Sequence, residues 1–270
     1  MSAPSAVAQP RESYSSNLFA PLFAAEDRHF WFQARNRILA AAIAPLERQL
    51  RDGYRILEVG CGTGFVLRML DKLCRRGEVV GLDAYAEGLR LARQRVQCRL
   101  VEGDLFRWPF EQNFQVIGLF DVLEHLEDDL GALQQLRKGL SPGGRLVLTT
   151  PAHMSLWSYA DTQAHHCRRY SASALKAVMQ RAGFEVEYLT EFMGLLFPLA
   201  WLVRRLVGSG AKAGSDPLRD EQQFLRELRI VPGVNGMLRW LLSREASFVK
   251  RRWRLPVGTS LLAIGVVRES

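Results

Sequence analysis

Four acidic residues stand at or just beyond the ends of successive apolar runs: Glu58, Asp83, Asp104 and Asp121. After the first of them comes Gly60-Cys61-Gly62-Thr63-Gly64. Glycines so spaced permit a tight turn and let the backbone approach a ligand closely. The dinucleotide-binding fingerprint GxGxxG places its third glycine one residue later; here Gly64 comes early and Phe65 fills that slot. Glu58 precedes the first glycine by two residues, and a carboxylate there suits the ammonium of a bound amino acid while repelling a pyrophosphate. Asp83 can accept from both hydroxyls of a ribose, and Asp104, within Gly103-Asp104-Leu105, from an adenine amino group. Each acid alone could equally cap a helix or sit in an exposed loop. In register after successive strands, they point to one crevice that holds an amino-acid-bearing nucleoside.

The elements that must position these residues alternate. Residues 55–59, 78–83, 98–102, 114–120 and 145–150 read as short apolar strands, and 65–73, 86–97 and 130–140 as helices between them. Ser141-Pro142-Gly143-Gly144 reads as a turn. This rhythm predicts a parallel, doubly wound α/β sheet whose strands end, at their carboxyl edge, on the ligand. A helix over 173–182 closed by Gly183, a strand over 184–189 and a last strand over 261–267 follow. The expected organisation is an N-terminal tail and cap helices over 1–50, a core over 51–190 and 257–270, and a helical insertion or lid over 191–256. An aromatic stretch, His29-Phe30-Trp31-Phe32, opens a helix running to about residue 50. Within the insertion, Val234, Met237, Leu238, Leu241 and Leu242 follow a helical stripe, expected to face the core. Residues 208–217 are its expected flexible part.

Glu58-Val59-Gly60-Cys61-Gly62-Thr63-Gly64, Asp83, Glu102-Gly103-Asp104, Asp121-Val122-Leu123-Glu124-His125 and Leu140-Ser141-Pro142-Gly143-Gly144 together resemble the motifs of class I S-adenosylmethionine-dependent methyltransferases, in the branch that includes quinone-biosynthesis enzymes. The flanking segments His29-Phe30-Trp31-Phe32 with Arg35, Leu156 to Tyr170 with its His166-Cys167-Arg168-Arg169-Tyr170 loop, and Leu255 to Ser260 are similar to a bacterial subgroup, some of whose members are thought to act near glycan or lipid pathways. The resemblance implies a Rossmann-like sheet of seven strands with an antiparallel last strand. It implies S-adenosyl-L-methionine as cofactor, held by Glu58, Gly60, Cys61, Gly62, Gly64, Asp83, Asp104, Leu105 and Asp121, with Cys61 contributing backbone only. Arg35 reads either as reaching the cofactor carboxylate with Trp31 packed beneath it, or as a surface arginine beside a core tryptophan.

Methyl transfer from a sulfonium needs no metal, and needs a base only when the acceptor must lose a proton. His125 is the first candidate base and His166 the second; the alternatives are a histidine satisfied within its own loop and a packing element. Arg168, Arg169 and Tyr170 are the candidate substrate contacts, since paired guanidinium groups grip phosphate or carboxylate; the other reading pairs Asp161 with Arg169 to pin the loop.

The chain is 270 residues, enough for one large domain with an appendage. Its four cysteines, Cys61, Cys74, Cys98 and Cys167, form no CxxC pair, so neither a zinc site nor a disulfide framework is expected. The net charge is +8, of which residues 191–270 carry 13 Lys/Arg against 7 Asp/Glu, with the sharpest cluster at Lys250 to Arg254. That excess suits an anionic membrane surface, a phosphorylated substrate, nucleic acid or a solvated helix face. The longest apolar run, 192–203, is too short to span a bilayer. No secretory signal is read at the start, and a cytoplasmic protein is expected, with peripheral contact at the inner face of a membrane as the alternative. The expected partner is a small-molecule or lipid-linked acceptor, acting on a monomer or homodimer. The competing readings are a Rossmann-type oxidoreductase, a catalytically silent cofactor-binding or membrane scaffold, and an RNA methyltransferase. The last lacks an Asn/Asp-Pro-Pro-Tyr-type motif after strand four and any appended nucleic-acid module.

Overall fold

A computed structural model describes residues 18–207 and 228–268. The expected tail over the first ten residues and the expected flexible stretch over 208–217 lie outside the described residues. In chain order the elements are α1 (Phe19–Glu26), α2 (Phe30–Glu47), β1 (Arg55–Val59), α3 (Phe65–Leu73), β2 (Glu78–Asp83), α4 (Ala86–Ala92), β3 (Arg99–Glu102), β4 (Phe114–Phe120), α5 (Asp129–Lys138), β5 (Leu140–Pro151), α6 (Tyr159–Gln163), α7 (Ala172–Arg181), β6 (Glu185–Phe192), α8 (Leu196–Val207), α9 (Val234–Ser243), α10 (Glu245–Lys250) and β7 (Ser260–Val266). They form a seven-stranded sheet of order β3-β2-β1-β4-β5-β7-β6. The first five strands are mutually parallel, and β7 runs antiparallel to both β5 and β6. The chain order reverses direction across the sheet at β1 and β4, so a crevice opens beyond their carboxyl ends.

Three boundaries differ from expectation. Helix α4 ends at Ala92, with the Arg93 amide turning back to Leu89 and Leu91, so residues 93–97 are a turn. The expected turn over 141–144 lies inside β5, which begins at Leu140; Leu140 pairs with Phe114, and an irregularity between Phe114 and Val116 absorbs the glycines. Strand β6 continues to Phe192 because its antiparallel partner carries it there, pairing Phe192 with Ser260.

The pleat sorts each strand between two cores. Leu57, Val59, Ile117, Leu119, Leu146 and Leu148 face one side, packed on α5 and α7. Ile56, Val116, Phe120 and Val147 face the other, packed on α2 and α3. Glu58 alternates with Leu57 and Val59, so its carboxylate is directed to the α2 side. Helix α2 seals that side with Ala34, Ile38, Ala42 and Leu39, Ile43, Leu46, all buried at helical spacing. The insertion wraps it: α9 and α10 lie against α2, and Asn235 accepts from the Phe30 amide at 2.8 Å while donating to the Arg28 carbonyl at 2.9 Å. The expected core stripe of α9 is only partly inward. Leu242 is fully buried, whereas Val234 and Met237 are about half exposed, because the helix meets the body along one narrow edge.

Helix α1 is fastened over the glycine loop by ionic contacts. Arg95 pairs with Glu26, donates to the Thr63 hydroxyl at 2.9 Å and the Phe23 carbonyl at 2.7 Å, and stacks 4.0 Å from the centre of the Phe23 ring. Thr63 in turn donates to Glu26 at 2.6 Å. Only 3% of the Arg95 side chain is exposed. Removing one member of a buried pair strands the other, at a cost of about 3 kcal/mol. Arg95→Ala is therefore expected to lower unfolding free energy by about 3 kcal/mol in urea titrations. It should also open α1 to proteolysis before the sheet unfolds.

Candidate functional site

A cavity of about 1530 Å³ opens at the carboxyl edge of the sheet. Ligand sites usually measure about 300–1,000 Å³, so this one has room for two molecules side by side. Glu58, Gly60, Cys61, Gly62, Asp83, Asp104, Leu105, Asp121 and Arg35 all line it. His125, His166 and Arg169 line it as well.

The glycine loop leaves β1 with Gly60 at φ +72° and Gly62 at φ +48°. A Cβ on Gly60 would meet the Val122 Cγ2 atom at 2.4 Å, so both the backbone conformation and the space demand glycine there. Gly64 has a different duty. It is absent from the cavity lining, starts α3 at φ +75°, and lies where a Cβ would touch the Ala92 Cβ at 2.9 Å. It serves close packing of α3 against α4, and the expected cofactor contact at Gly64 is not among the cavity-lining residues. Cys61 lines the cavity through its loop position while its thiol turns inward, 2.9 Å from where a Cβ on Gly81 would sit. Burial, followed by the charges of Asp83 and Glu58, pushes that thiol well above its ordinary pKa.

Glu58 is 2% exposed, and its Oε2 has no hydrogen-bond partner. Burial pushes its carboxyl well above the usual range; nearby Arg35 opposes this, and Asp83 and Glu26 reinforce it. Asp83 accepts from the amides of Gly62 at 2.7 Å and Tyr85 at 2.9 Å, one on each oxygen, which ties the end of β2 to the glycine loop. Burial raises its carboxyl despite those bonds. Asp104 is exposed at the cavity rim and accepts from the Phe106 amide at 2.9 Å, starting a short 3₁₀ turn that carries Leu105. Asp121 adopts φ +55°, a costly conformation for a residue other than glycine, and binds Arg35 at 2.5 Å. Arg35 is buried against the Trp31 ring, 5.4 Å from its centre, and its Nε is without a partner. It is thus a buried cavity residue and not a surface arginine. An orphaned buried carboxylate beside an orphaned guanidinium nitrogen, over a bend that excludes side chains, fits the zwitterionic end of an amino acid. The cofactor implied by the sequence motifs carries that end.

The loop after β5 is held by Asp161. Its carboxylate accepts from Arg169 Nε at 2.7 Å and Nη2 at 3.0 Å, from the Ser158 amide at 2.7 Å, and pairs with His166 Nδ1 at 2.9 Å. The reading in which Asp161 and Arg169 pin the loop is the one observed. Arg168 and Tyr170 do not reach the cavity. Both are taken by Asp129, Arg168 at 2.7 Å and the Tyr170 hydroxyl at 2.6 Å, and Arg168 also donates to the Glu127 carbonyl at 2.8 Å. Among the candidate substrate contacts only Arg169 lines the cavity. The loop is stitched to the one after β4 through Cys167, whose amide donates to the Glu124 carbonyl at 2.7 Å. That stitch brings the rings of His125 and His166 to 4.6 Å, edge to face.

Glu124 lies in the Asp121-Val122-Leu123-Glu124-His125 segment, where the residue types alone assign it no role. A 3₁₀ turn over Leu123–His125 points it inward, fully buried, with neither carboxylate oxygen in a hydrogen bond of normal geometry. Burial, and then the charge of Asp121, push its carboxyl well above the usual range. No periodicity marks a single 3₁₀ turn, so only its place beside His125 could have drawn attention to it.

The family described as "Methyltransferase domain" matches residues 23–189. A protein of Mycolicibacterium smegmatis named a probable S-adenosylmethionine-dependent methyltransferase is 30% identical over 167 residues, which are 60% of this chain and 62% of that protein. The chain therefore matches less than two thirds of that relative's length. The 2-phytyl-1,4-naphtoquinone methyltransferase of Thermosynechococcus vestitus is 37% identical over 51% of this chain and 75% of its own. Among solved structures, the methyltransferase in complex with the Haloferax volcanii Trm112 methyltransferase activator superposes with a TM-score of 0.57 at 18% identity, covering 94% of this chain and 95% of that one. At that identity the likeness is one of fold.

Asp161 yields a prediction on pH. Burial alone would raise its carboxyl, but hydrogen bonds from His166 and Arg169 and the charge of Arg169 hold it at about 2, below the reference of 3.8. A depressed folded-state pKa stabilises the fold fully above the reference value, and that contribution fades as pH falls toward 2. It amounts to about 2 kcal/mol. Asp161→Asn should lose about this much at neutral pH and flatten the acid limb of the stability curve, read by denaturant melts at stepped pH. An unchanged acid limb would show that the clamp contributes nothing.

Proposed function

The chain belongs to the methyltransferase-domain family, and we propose that it transfers a methyl group from S-adenosylmethionine to an oxygen or an acidic carbon of a small or lipid-linked acceptor. The observation that carries this reading is the nearly buried carboxylate of Glu58, with Oε2 unpartnered, beside the glycine bend in the cavity that Asp83 and Asp104 also line.

Glu58 accepts hydrogen bonds from the cofactor's ammonium, which supplies the positive charge its burial lacks. Arg35, braced by Asp121, offers its unpaired Nε to the cofactor's carboxylate. Asp83 retains a lone pair on each oxygen for the two ribose hydroxyls, and Asp104 keeps one oxygen for the adenine amino group, with Leu105 packed beside it. When bound, the cofactor supplies an electrophilic methyl carbon on a sulfonium. The protein's share is to orient the acceptor in line with that carbon and to exclude water. Across the cavity stand His125 and His166. Asp161 fixes the Nδ1 side of His166, which leaves its Nε2 as the ring nitrogen available to the cavity. Arg169, on the same loop, can orient an anionic part of the acceptor.

The insertion favours an acceptor carried on a lipid. Leu195, Leu199 and Leu202 near the start of α8, and Trp240 and Trp253 further on, are exposed to solvent, and Arg251 and Arg254 flank the last of them. Exposed aromatic and aliphatic groups beside arginines suit the headgroup region of an anionic bilayer. No helix among the described residues is long and apolar enough to cross a membrane.

Two tests follow. Calorimetry should show binding of S-adenosylhomocysteine and no heat with NAD, and Glu58→Gln should weaken the former by about ten- to a hundredfold, the worth of a hydrogen bond to a charged group. Unchanged affinity in that variant would remove Glu58 from the site. Vesicles containing phosphatidylglycerol should pellet the protein and shift its tryptophan emission to the blue. Leu199→Asp combined with Trp240→Asp should abolish both effects, and equal pelleting of wild type and variant would exclude this surface.

A further inference from the structure

The geometry points to a divalent-cation site formed by Glu124, His125 and His166 at the acceptor end of the cavity. One ligand atom from each residue lies within 4.8 Å of the other two. In a tetrahedral site with bonds of about 2.1 Å, neighbouring ligand atoms lie about 3.4 Å apart, so closing the set asks for a shift of up to about 1.4 Å.

Three independent features prepare these residues for an ion. The first is Glu124, which is 0% exposed and has only the Thr150 hydroxyl and its own backbone amide close by, neither in a hydrogen bond of normal geometry. A buried carboxylate in that condition calls for a positive charge, and Arg35, the guanidinium near it, is committed to Asp121 at 2.5 Å. The second is His166, whose Nδ1 is paired at 2.9 Å with the carboxylate of Asp161, itself neutralised by the fork of Arg169. A carboxylate behind one imidazole nitrogen sets the tautomer and raises the basicity of the other, the usual outer-shell support of a metal-binding histidine. The third is the pair of loops. Glu124 and His125 ride one 3₁₀ turn and His166 rides the loop after β5, and the Cys167 amide bond to the Glu124 carbonyl locks the two together. The three residues are thereby held near one another before an ion arrives, and side-chain adjustment closes the set.

Two imidazoles and one carboxylate favour first-row transition ions such as zinc, manganese or iron over magnesium and calcium. Three protein ligands leave at least one coordination position, as in catalytic and not in structural sites. That position faces the cavity, where an oxygen of the acceptor can fill it and be oriented by the ion. The binding claim stands on geometry alone; the acceptor's part in it rests on the function proposed above. The cysteine spacing and the implied chemistry gave no expectation of a metal here, because the three ligands come from two loops that are adjacent only in the folded chain.

The test is titration of the metal-free, tag-free protein with Co²⁺, read by its visible d–d absorption, with Zn²⁺ as competitor. One equivalent of Co²⁺ should bind with bands of low-symmetry N/O coordination, and Zn²⁺ should displace it. Glu124→Gln, His125→Ala and His166→Ala should each weaken binding at least about tenfold. Each variant is also titrated with S-adenosylhomocysteine, which reports a folded cofactor half, so a collapsed variant is recognised and the other two decide. Absence of the bands in the wild type overturns the site, and so does binding indifferent to all three substitutions. Loss of S-adenosylhomocysteine binding by the wild type would instead defeat the methyltransferase reading and leave the Co²⁺ result legible.

Discussion

Everything at the carboxyl edge of the sheet is arranged around a charge that the fold encloses without pairing. The pleat of β1 sends Ile56 and Glu58 to the α2 side, and α2 then seals that side with a continuous apolar face. The side chain of Glu58 is almost wholly buried, and Oε2 finds no donor. Such a group lowers stability unless a ligand completes it. The protein limits the cost by placing Arg35 nearby and then restrains that arginine with Asp121, which accepts an unfavourable backbone conformation to do so. The result is a pair of opposite charges held apart, each with spare hydrogen-bonding capacity, which is the complement of a zwitterion.

The two ends of the cavity are built by different means. At the nucleoside end, the donors and acceptors belong to regular strands and the turns that leave them, and their positions follow from the register of β1, β2 and β3. At the other end, loops after β4 and β5 meet through side-chain and amide contacts that cross the sequence, with Asp161, Arg169, His166, Cys167 and Glu124 bound into one network. The first kind of construction is rigid by default, whereas the second is only as firm as its polar contacts. The antiparallel β7 joins them, because it pairs with β5 from Arg145 to Pro151 and fixes where that strand ends.

The difference in construction also explains what was legible beforehand. Strands β1, β2 and β4 and helix α3 fall at the expected residues, since apolar periodicity and glycine position determine them locally. The acids at their ends, Glu58, Asp83, Asp104 and Asp121, reach one cavity because strand order alone brings them there. Tertiary contact overrode local signals elsewhere. Gly143 and Gly144 resemble a turn but are drawn into β5 by backbone hydrogen bonds to Val267, and Met237 resembles a core position but faces outward because α9 touches the body edgewise. Arg168 and Tyr170 have the chemistry of substrate contacts, yet Asp129, some forty residues earlier, takes both. Nothing within the loop itself betrays that partner.

Glu245 offers a further consequence. From the start of α10 its carboxylate accepts the amides of Met193 and Gly194, 2.6 and 2.9 Å away, just where the chain leaves β6. The long excursion between the last two strands is therefore knotted at its own base, like a purse drawn shut by a cord. Whatever length of chain lies beyond the knot, the frame on which β7 is laid does not feel it, because closing a longer loop adds only about 0.6 kcal/mol per doubling. Descendants of this sequence can accordingly lengthen the excursion to suit new guests at little cost, so long as α9 and α10 keep their seat on α2.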